Sequence, residues 1–257
     1  MSRIFTQITN DLTELNSDSY DLWKADLMFI LTPTSSLNHE ATTKFIDHLQ
    51  SNVKERIKMV ICLETLSNMI SSQKELFVSP GFMTPHNELY LDFVKELEKA
   101  AHKVGTKVEL RQPEPFYQGK RFLQQEHLIF NEKGIPAFTI SAKNEVYRSK
   151  NEKYTVFDNA ISKDDLRRNI QIISEALIQI IYNFNSRSIN YFIDNPSLIN
   201  THFFDQMTNF LLKNPRAPHM IQRDSDLSKE FQKLLTINLN SNSQQEGAAV
   251  VKKMGIQ

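Results

Sequence analysis

At 257 residues the chain is long enough to bury a sizeable core, as one large α/β domain or as one domain with a small helical appendage. Lysine plus arginine equals aspartate plus glutamate at 30 each, so no net charge draws nucleic acid or an anionic membrane surface, and the basic pairs Arg167-Arg168 and Lys252-Lys253 are too small to form an extended cationic face. Six glycines and nine prolines in a chain with 40% hydrophobic residues exclude a linker or a low-complexity segment.

The start, from Met1 to Gln7, runs into Asn10, Asp11 and Glu14 and lacks the continuous apolar segment of a secretory signal. Leu27 to Leu31 is a short apolar run suited to a buried strand, and Ile57 to Leu63 is a second. Between them a helix is expected, capped by Asn38, with Ala41, Phe45, Leu49 and Val53 as its apolar stripe. The single cysteine, Cys62, sits in the run Met59 to Leu63 with no electropositive neighbour, which reads as a buried, inert thiol. Glu75 to Ser79 is a further strand. Thr84-Pro85 then supplies an N-cap and a first-turn proline for a helix whose stripe is Leu89, Phe93, Leu97, Ala100 and Val104, closed by Gly105.

Lys107 to Arg111 resumes the strand pattern, and Gly134 to Ser141 is another strand, with Pro136 at its tolerated beginning. The clearest helix follows. Ser162 and Asp165 form its capping-box-like start, Ile161 and Leu166 have staple spacing, and Leu166, Ile170, Ile173, Leu177, Ile181 and Phe184 form its apolar face. Strands alternating with helices imply a parallel or mixed sheet covered on both faces. Beyond Asn185 the pattern is helical, with helices at His202 to Lys213 and Leu227 to Leu235 separated by the Asn214 to Pro218 turn. The stretch from Asn238 is too poor in large apolar groups to offset its ordering entropy and is expected to be a mobile tail. The longest apolar stretches are too short or too interrupted to cross a bilayer core.

Four segments carry a resemblance. They are Val60-Ile61-Cys62-Leu63-Glu64-Thr65, Ile135-Pro136-Ala137-Phe138-Thr139-Ile140-Ser141, the helix from Leu166-Arg167-Arg168-Asn169 to Ile181-Tyr182-Asn183, and Asn214-Pro215-Arg216-Ala217. As a set, over roughly residues 10 to 240, they resemble the second half of the luminal region of the nicalin family, nicastrin-related relatives of the zinc-dependent M28 aminopeptidases. The resemblance implies an incomplete M28 peptidase-like mixed sheet flanked by helices over 1–185, a C-terminal helical extension over 186–240 and a tail over 241–257. It implies a chain lacking the signal peptide, N-terminal half and membrane-spanning helix of the family, and an expected location on the luminal side of the endoplasmic reticulum membrane. The partners it implies are a Nodal-modulator-like luminal protein and a small multipass membrane protein, with no nucleic acid and no small-molecule substrate.

An M28-type site holds zinc with histidines and carboxylates and uses a glutamate as general base. By the same resemblance, Ser36 and Leu37 stand where the family has its adjacent glutamates, and neither can act as a carboxylate base. In Tyr154-Thr155-Val156-Phe157-Asp158, tyrosine stands where a histidine ligand is needed. Glu64 is the surviving carboxylate position, read preferentially as a solvated or hydrogen-bonded strand-end residue rather than a ligand. His39, His48, His86, His102, His127, His202 and His219 include no zinc-ligand pair and read as surface or hydrogen-bonding residues. Ser79-Pro80-Gly81 lacks the glycine pattern of a nucleophile elbow. No catalytic, cofactor-binding or metal-binding residue is therefore expected. The expected role is a non-catalytic scaffold; the alternative is a zinc-dependent aminopeptidase whose site is completed by preceding sequence.

Overall fold

A computed structural model describes residues 27–30, 39–67, 74–113, 125–143, 161–182 and 190–213, together with Asp226, Lys229 and Lys233. These form two compact units, one ending at Pro196 and the other beginning at Ser197. In the first unit the strands are β1 (Val60–Glu64), β2 (Glu75–Pro80), β3 (Lys107–Leu110) and β4 (Ala137–Ser141). They form one four-stranded sheet in the order β1-β4-β2-β3. The sheet is mixed: β1 runs parallel to β4, β2 runs parallel to β3, and β2 and β4 are antiparallel. Its helices are α1 (Glu40–His48), α2 (Ser51–Arg56), α3 (Glu88–Lys103), α4 (Glu126–Glu132), α5 (Lys163–Ile181) and α6 (Tyr191–Asp194).

Both faces of the sheet are covered, as the sequence predicts for alternating strands and helices. Because side chains alternate across a strand, Phe138 and Ile140 of β4 and Leu76 and Val78 of β2 point one way, into α3 and α5. There they meet Tyr90, Phe93, Val94 and Leu97 of α3 and Ile172, Ile173 and Ala176 of α5. Ala137 of β4 and Cys62 of β1 point the other way, packing with Ile46 of α1 and Ile129 and Phe130 of α4. Phe138 is the aromatic centre of the larger core, edge-on to Tyr90 at 5.0 Å and tilted against Phe93 at 5.4 Å.

α5 starts as its sequence predicts, with the Ser162 side chain accepting a 3.2 Å hydrogen bond from the Asp165 amide. Of the predicted stripe Ile173 and Ile181 are buried and Leu166, Ile170 and Leu177 only partly so, Phe184 lying outside the described residues; the rest of the buried face is Asn169, Ile172, Ser174, Glu175, Ala176, Ile178 and Gln179. Gly105 ends α3 region chain reversal at φ +67°, as expected of a left-handed closing residue.

Three local expectations are corrected. Leu27 to Ile30 forms no strand; Met28 and Phe29 are more than half exposed and pair with no strand among the described residues. An apolar run becomes a strand only where a neighbour satisfies its backbone. The helix after it is broken at Leu49 and Gln50, both extended, into α1 and α2, and His39 in the left-handed region is its N-cap, Asn38 lying outside the described residues. Thr42 and Ile46 are the buried residues of α1, while Ala41 and Phe45 are only partly covered. Finally, Thr84-Pro85 opens a short 3-10 turn, and α3 begins one step later. Asn87 caps it, its side chain accepting from the Tyr90 amide at 3.1 Å.

Gly81 leaves β2 against Asn131 of α4. The Asn131 amide is held from three sides: it donates to the carbonyls of His127 (2.9 Å) and Ala137 (3.0 Å) and accepts from the Met83 amide (3.1 Å). A Cβ at position 81 would overlap that amide group, which cannot swing away without breaking these bonds. Gly81→Ala is expected to destabilise the chain by about 1–3 kcal/mol, read as a lower urea midpoint at unchanged slope.

In the second unit α7 (Thr201–Lys213) occupies the predicted helical position, with Phe204 and Thr208 buried. Its start is marked by Asn200, whose side chain accepts from the Phe203 amide at 2.9 Å. Most of the predicted 227–235 helix, the 214–218 turn and the tail lie outside the described residues.

Candidate functional site

The carboxyl ends of β1 and β4 lie side by side, with Glu64 paired in register with Ser141. The chain turns sharply after Glu64. Thr65 takes φ +44°, a region that β-branched residues rarely enter, and its carbonyl accepts from the Ala142 amide at 2.9 Å. The start of α5 is tied to the same ends: Asn169 donates to the Leu66 carbonyl (2.7 Å), and Ser67 Oγ donates to the Ser162 carbonyl and accepts from the Ser162 amide, both at 2.8 Å. Arg168 is occupied by Asp165 at 2.5 Å. The rim is thus built from a carboxylate, hydroxyls and an amide, most of them engaged with backbone.

Beneath this rim, on the α1 and α4 side, lies a buried polar cluster. Its members come from four elements. His127 of α4 is fully buried and hydrogen-bonded through Nδ1 to Thr139 Oγ1 of β4 at 2.8 Å. Its Nε2 has no hydrogen-bond partner among the described residues. Burial, reinforced by nearby His39, pushes the His127 value down to about 3, so the ring is neutral at physiological pH. Thr42 of α1 donates to Glu126 at the start of α4. Cys62 is buried beside Thr139, and burial together with the carboxylates of Glu126 and Glu64 pushes its thiol well above the ordinary range. A thiol held protonated is no nucleophile, in line with its reading from sequence.

A catalytic zinc takes about three protein ligands, usually histidine and carboxylate. Glu64 stands opposite Ser141 in the sheet and before Thr65 in the left-handed region, and among the described residues no three histidine, cysteine, aspartate or glutamate side chains are grouped so as to hold a metal ion. The described rim does not fit a zinc centre. The positions of Ser36, Leu37, Tyr154 and Asp158 lie outside the described residues.

Of the residues read from sequence, Glu64 and Cys62 occupy one strand and share one face with His127 through Thr139; His48, His86, His102 and His202 belong to other helices and turns. The pairing of Thr42 with Glu126 and of His127 with Thr139 escaped the sequence reading, since partners 84 and 12 residues apart leave no periodic trace. The one available signal is His127 directly before the apolar stretch Leu128-Ile129-Phe130.

A mixed four-stranded sheet with helices on both faces, and a rim at the carboxyl ends of two parallel strands, defines a partial α/β body consistent with the M28 peptidase-like fold. No family model matches the chain. Its curated homologues are nicalins. It is 26% identical to BOS complex subunit NCLN of Homo sapiens over 212 residues, covering 78% of this chain and 36% of that protein. The corresponding protein of Canis lupus familiaris is 24% identical over 229 residues, covering 82% of this chain and 38% of the relative, and that of Danio rerio is 22% identical over 236 residues, covering 79% and 39%. The chain therefore spans less than two fifths of the length of the curated relatives it matches.

Proposed function

We propose that the chain acts as a non-catalytic scaffold subunit of a membrane complex of the kind its relatives are named for. The observation that carries this reading is the match of about four fifths of the chain to proteins named BOS complex subunits. The composition of the Glu64 rim supports it, because one carboxylate beside hydroxyls offers neither a dinuclear metal cage nor a poised base. With the chemical step gone, a packed sheet and its helices still present a rigid surface, and function resides in interfaces.

In this reading the chain works at the luminal side of the endoplasmic reticulum membrane, with a Nodal-modulator-like luminal protein and a small multipass membrane protein. The assembly it joins accompanies the translocon during insertion of multipass membrane proteins and bears on signalling through the proteins it helps to build. No helix among the described residues is long and apolar enough to cross a membrane, so attachment would run through those partners or through sequence outside the described residues. Within 186–240, read from the sequence as a helical extension, the proposed contact region is the part that begins with α7 (Thr201–Lys213), which belongs to the second compact unit.

Affinity purification of the tagged chain from detergent-solubilised microsomes tests this reading, with tagged nicalin as the positive control. Retention of the Nodal-modulator-like protein, lost when 197–257 is deleted, is the expected result. A chain that retains neither partner while the control retains both would contradict it, and peptide hydrolysis by the captured chain would favour the aminopeptidase alternative.

A further inference from the structure

Glu175 sits in the middle of α5 and is only 2% exposed, an unusual place for a carboxylate. Every bond it makes explains its burial. Oε1 accepts from the Tyr191 amide at 3.1 Å and from Gln179 Nε2 at 2.8 Å; Oε2 accepts from the amides of Phe192 at 2.6 Å and Ile193 at 3.3 Å. Those three amides form the first turn of α6, where a helix has no preceding turn to accept its N–H groups. The N-cap residue, Asn190, makes no side-chain cap bond, so a carboxylate from another helix does the capping. A helix of four residues is too short to persist on its own.

Apolar packing assists. Phe192 is 1% exposed, Ile193 lies against the larger core, and Lys103 of α3 donates to Asn190. Burial of this kind is non-directional, whereas a carboxylate bonded to three successive amides fixes one backbone conformation at one place on α5. From α6 the chain passes through Pro196 directly into the second compact unit. We propose that Glu175 is a latch: its carboxylate pins residues 191–194 to α5, and its loss releases this strap, the covalent lead into the C-terminal unit, while the sheet domain stays folded. The latch is independent of the scaffold reading.

Hydrogen exchange of the full chain, read by mass spectrometry, tests the latch with Glu175→Gln, which keeps side-chain volume and one acceptor but loses the charge. The amides of Tyr191, Phe192 and Ile193 are expected to exchange about tenfold faster or more in the variant, with protection in β1, β2, β4 and α3 unchanged. In the wild-type chain the same amides are expected to open at urea concentrations below the unfolding midpoint of the sheet. Unchanged exchange at 191–193, a loss of protection spread evenly over the whole domain, a variant that cannot fold, or wild-type amides that open only with global unfolding would each overturn the proposal.

Discussion

Phe138→Ala is expected to remove about 3–5 kcal/mol of stability, the usual range for deleting a buried aromatic ring. Phe138 is fully buried on β4, a strand with neighbours on both sides, and its ring is the one that Tyr90 and Phe93 of α3 close upon. Its removal leaves a hole where sheet and helix meet, and neither the paired backbone nor a helix anchored by Leu97 and Val94 can move far enough to fill it. Domains are stable by only about 5–15 kcal/mol, so the variant should sit close to its unfolding threshold. Urea unfolding followed by circular dichroism measures this directly. A loss below about 1 kcal/mol would mean that the sheet and α3 are not packed as described.

Acidification is expected to weaken the fold through His127. Its folded value of about 3 lies below the ordinary histidine value of 6.5, because charging the buried ring would cost solvation that Thr139 cannot replace. Above about pH 6.5 neither state takes up the proton, and the full stability is present. As pH falls from there toward 3, the unfolded chain binds a proton that the folded chain refuses, and stability declines by up to about 1.4 kcal/mol per pH unit. Below about pH 3 this contribution levels off.

Glu40 and Asp47, whose values are lowered by their hydrogen bonds to Lys44 and Lys133, act in the same direction at lower pH. Their stabilisation is present above their ordinary values of 4.5 and 3.8 and is lost only as pH drops through the lowered ones. The interval between pH 6.5 and 5 therefore isolates histidine titration. Urea midpoints over that interval should fall in the wild-type chain and fall distinctly less in His127→Gln. Parallel pH profiles for the two proteins would show that His127 is not the buried neutral group described.

What could be read from the sequence was local or periodic. Ser162 capping α5, Gly105 closing α3, and the apolar recurrence of Phe93, Leu97 and Ala100 are written within a few residues of where they act. The α/β layering follows from the alternation of such elements. Thr84-Pro85 and Asn87 are both competent starts for α3; the Thr84 hydroxyl turns back to the Gly81 carbonyl, while Asn87 accepts from the Tyr90 amide and is itself held by a long-range bond to the Lys58 carbonyl that the sequence does not reveal. Leu27 to Ile30 has the composition of a strand, but strand formation depends on a neighbour that composition does not reveal.

The site was legible only in part. Glu64 at a strand end and Cys62 as a buried thiol were both visible, since each depends on its own strand. The cluster around His127 and the network around Glu175 were not, because each joins elements distant in sequence and uses residue types that ordinarily belong on the surface. Buried polar groups of this kind are settled by tertiary hydrogen bonding, which leaves no pattern along a single chain.

The most direct measurement is the zinc content of the purified chain after expression with zinc supplied, compared with its Glu64→Ala variant. The expected result is no stoichiometric zinc in either protein, as one carboxylate beside Ser141 and Thr65 is too small a donor set. Stoichiometric zinc in the wild-type chain that is lost with Glu64→Ala would contradict the scaffold reading and place a metal centre on the rim.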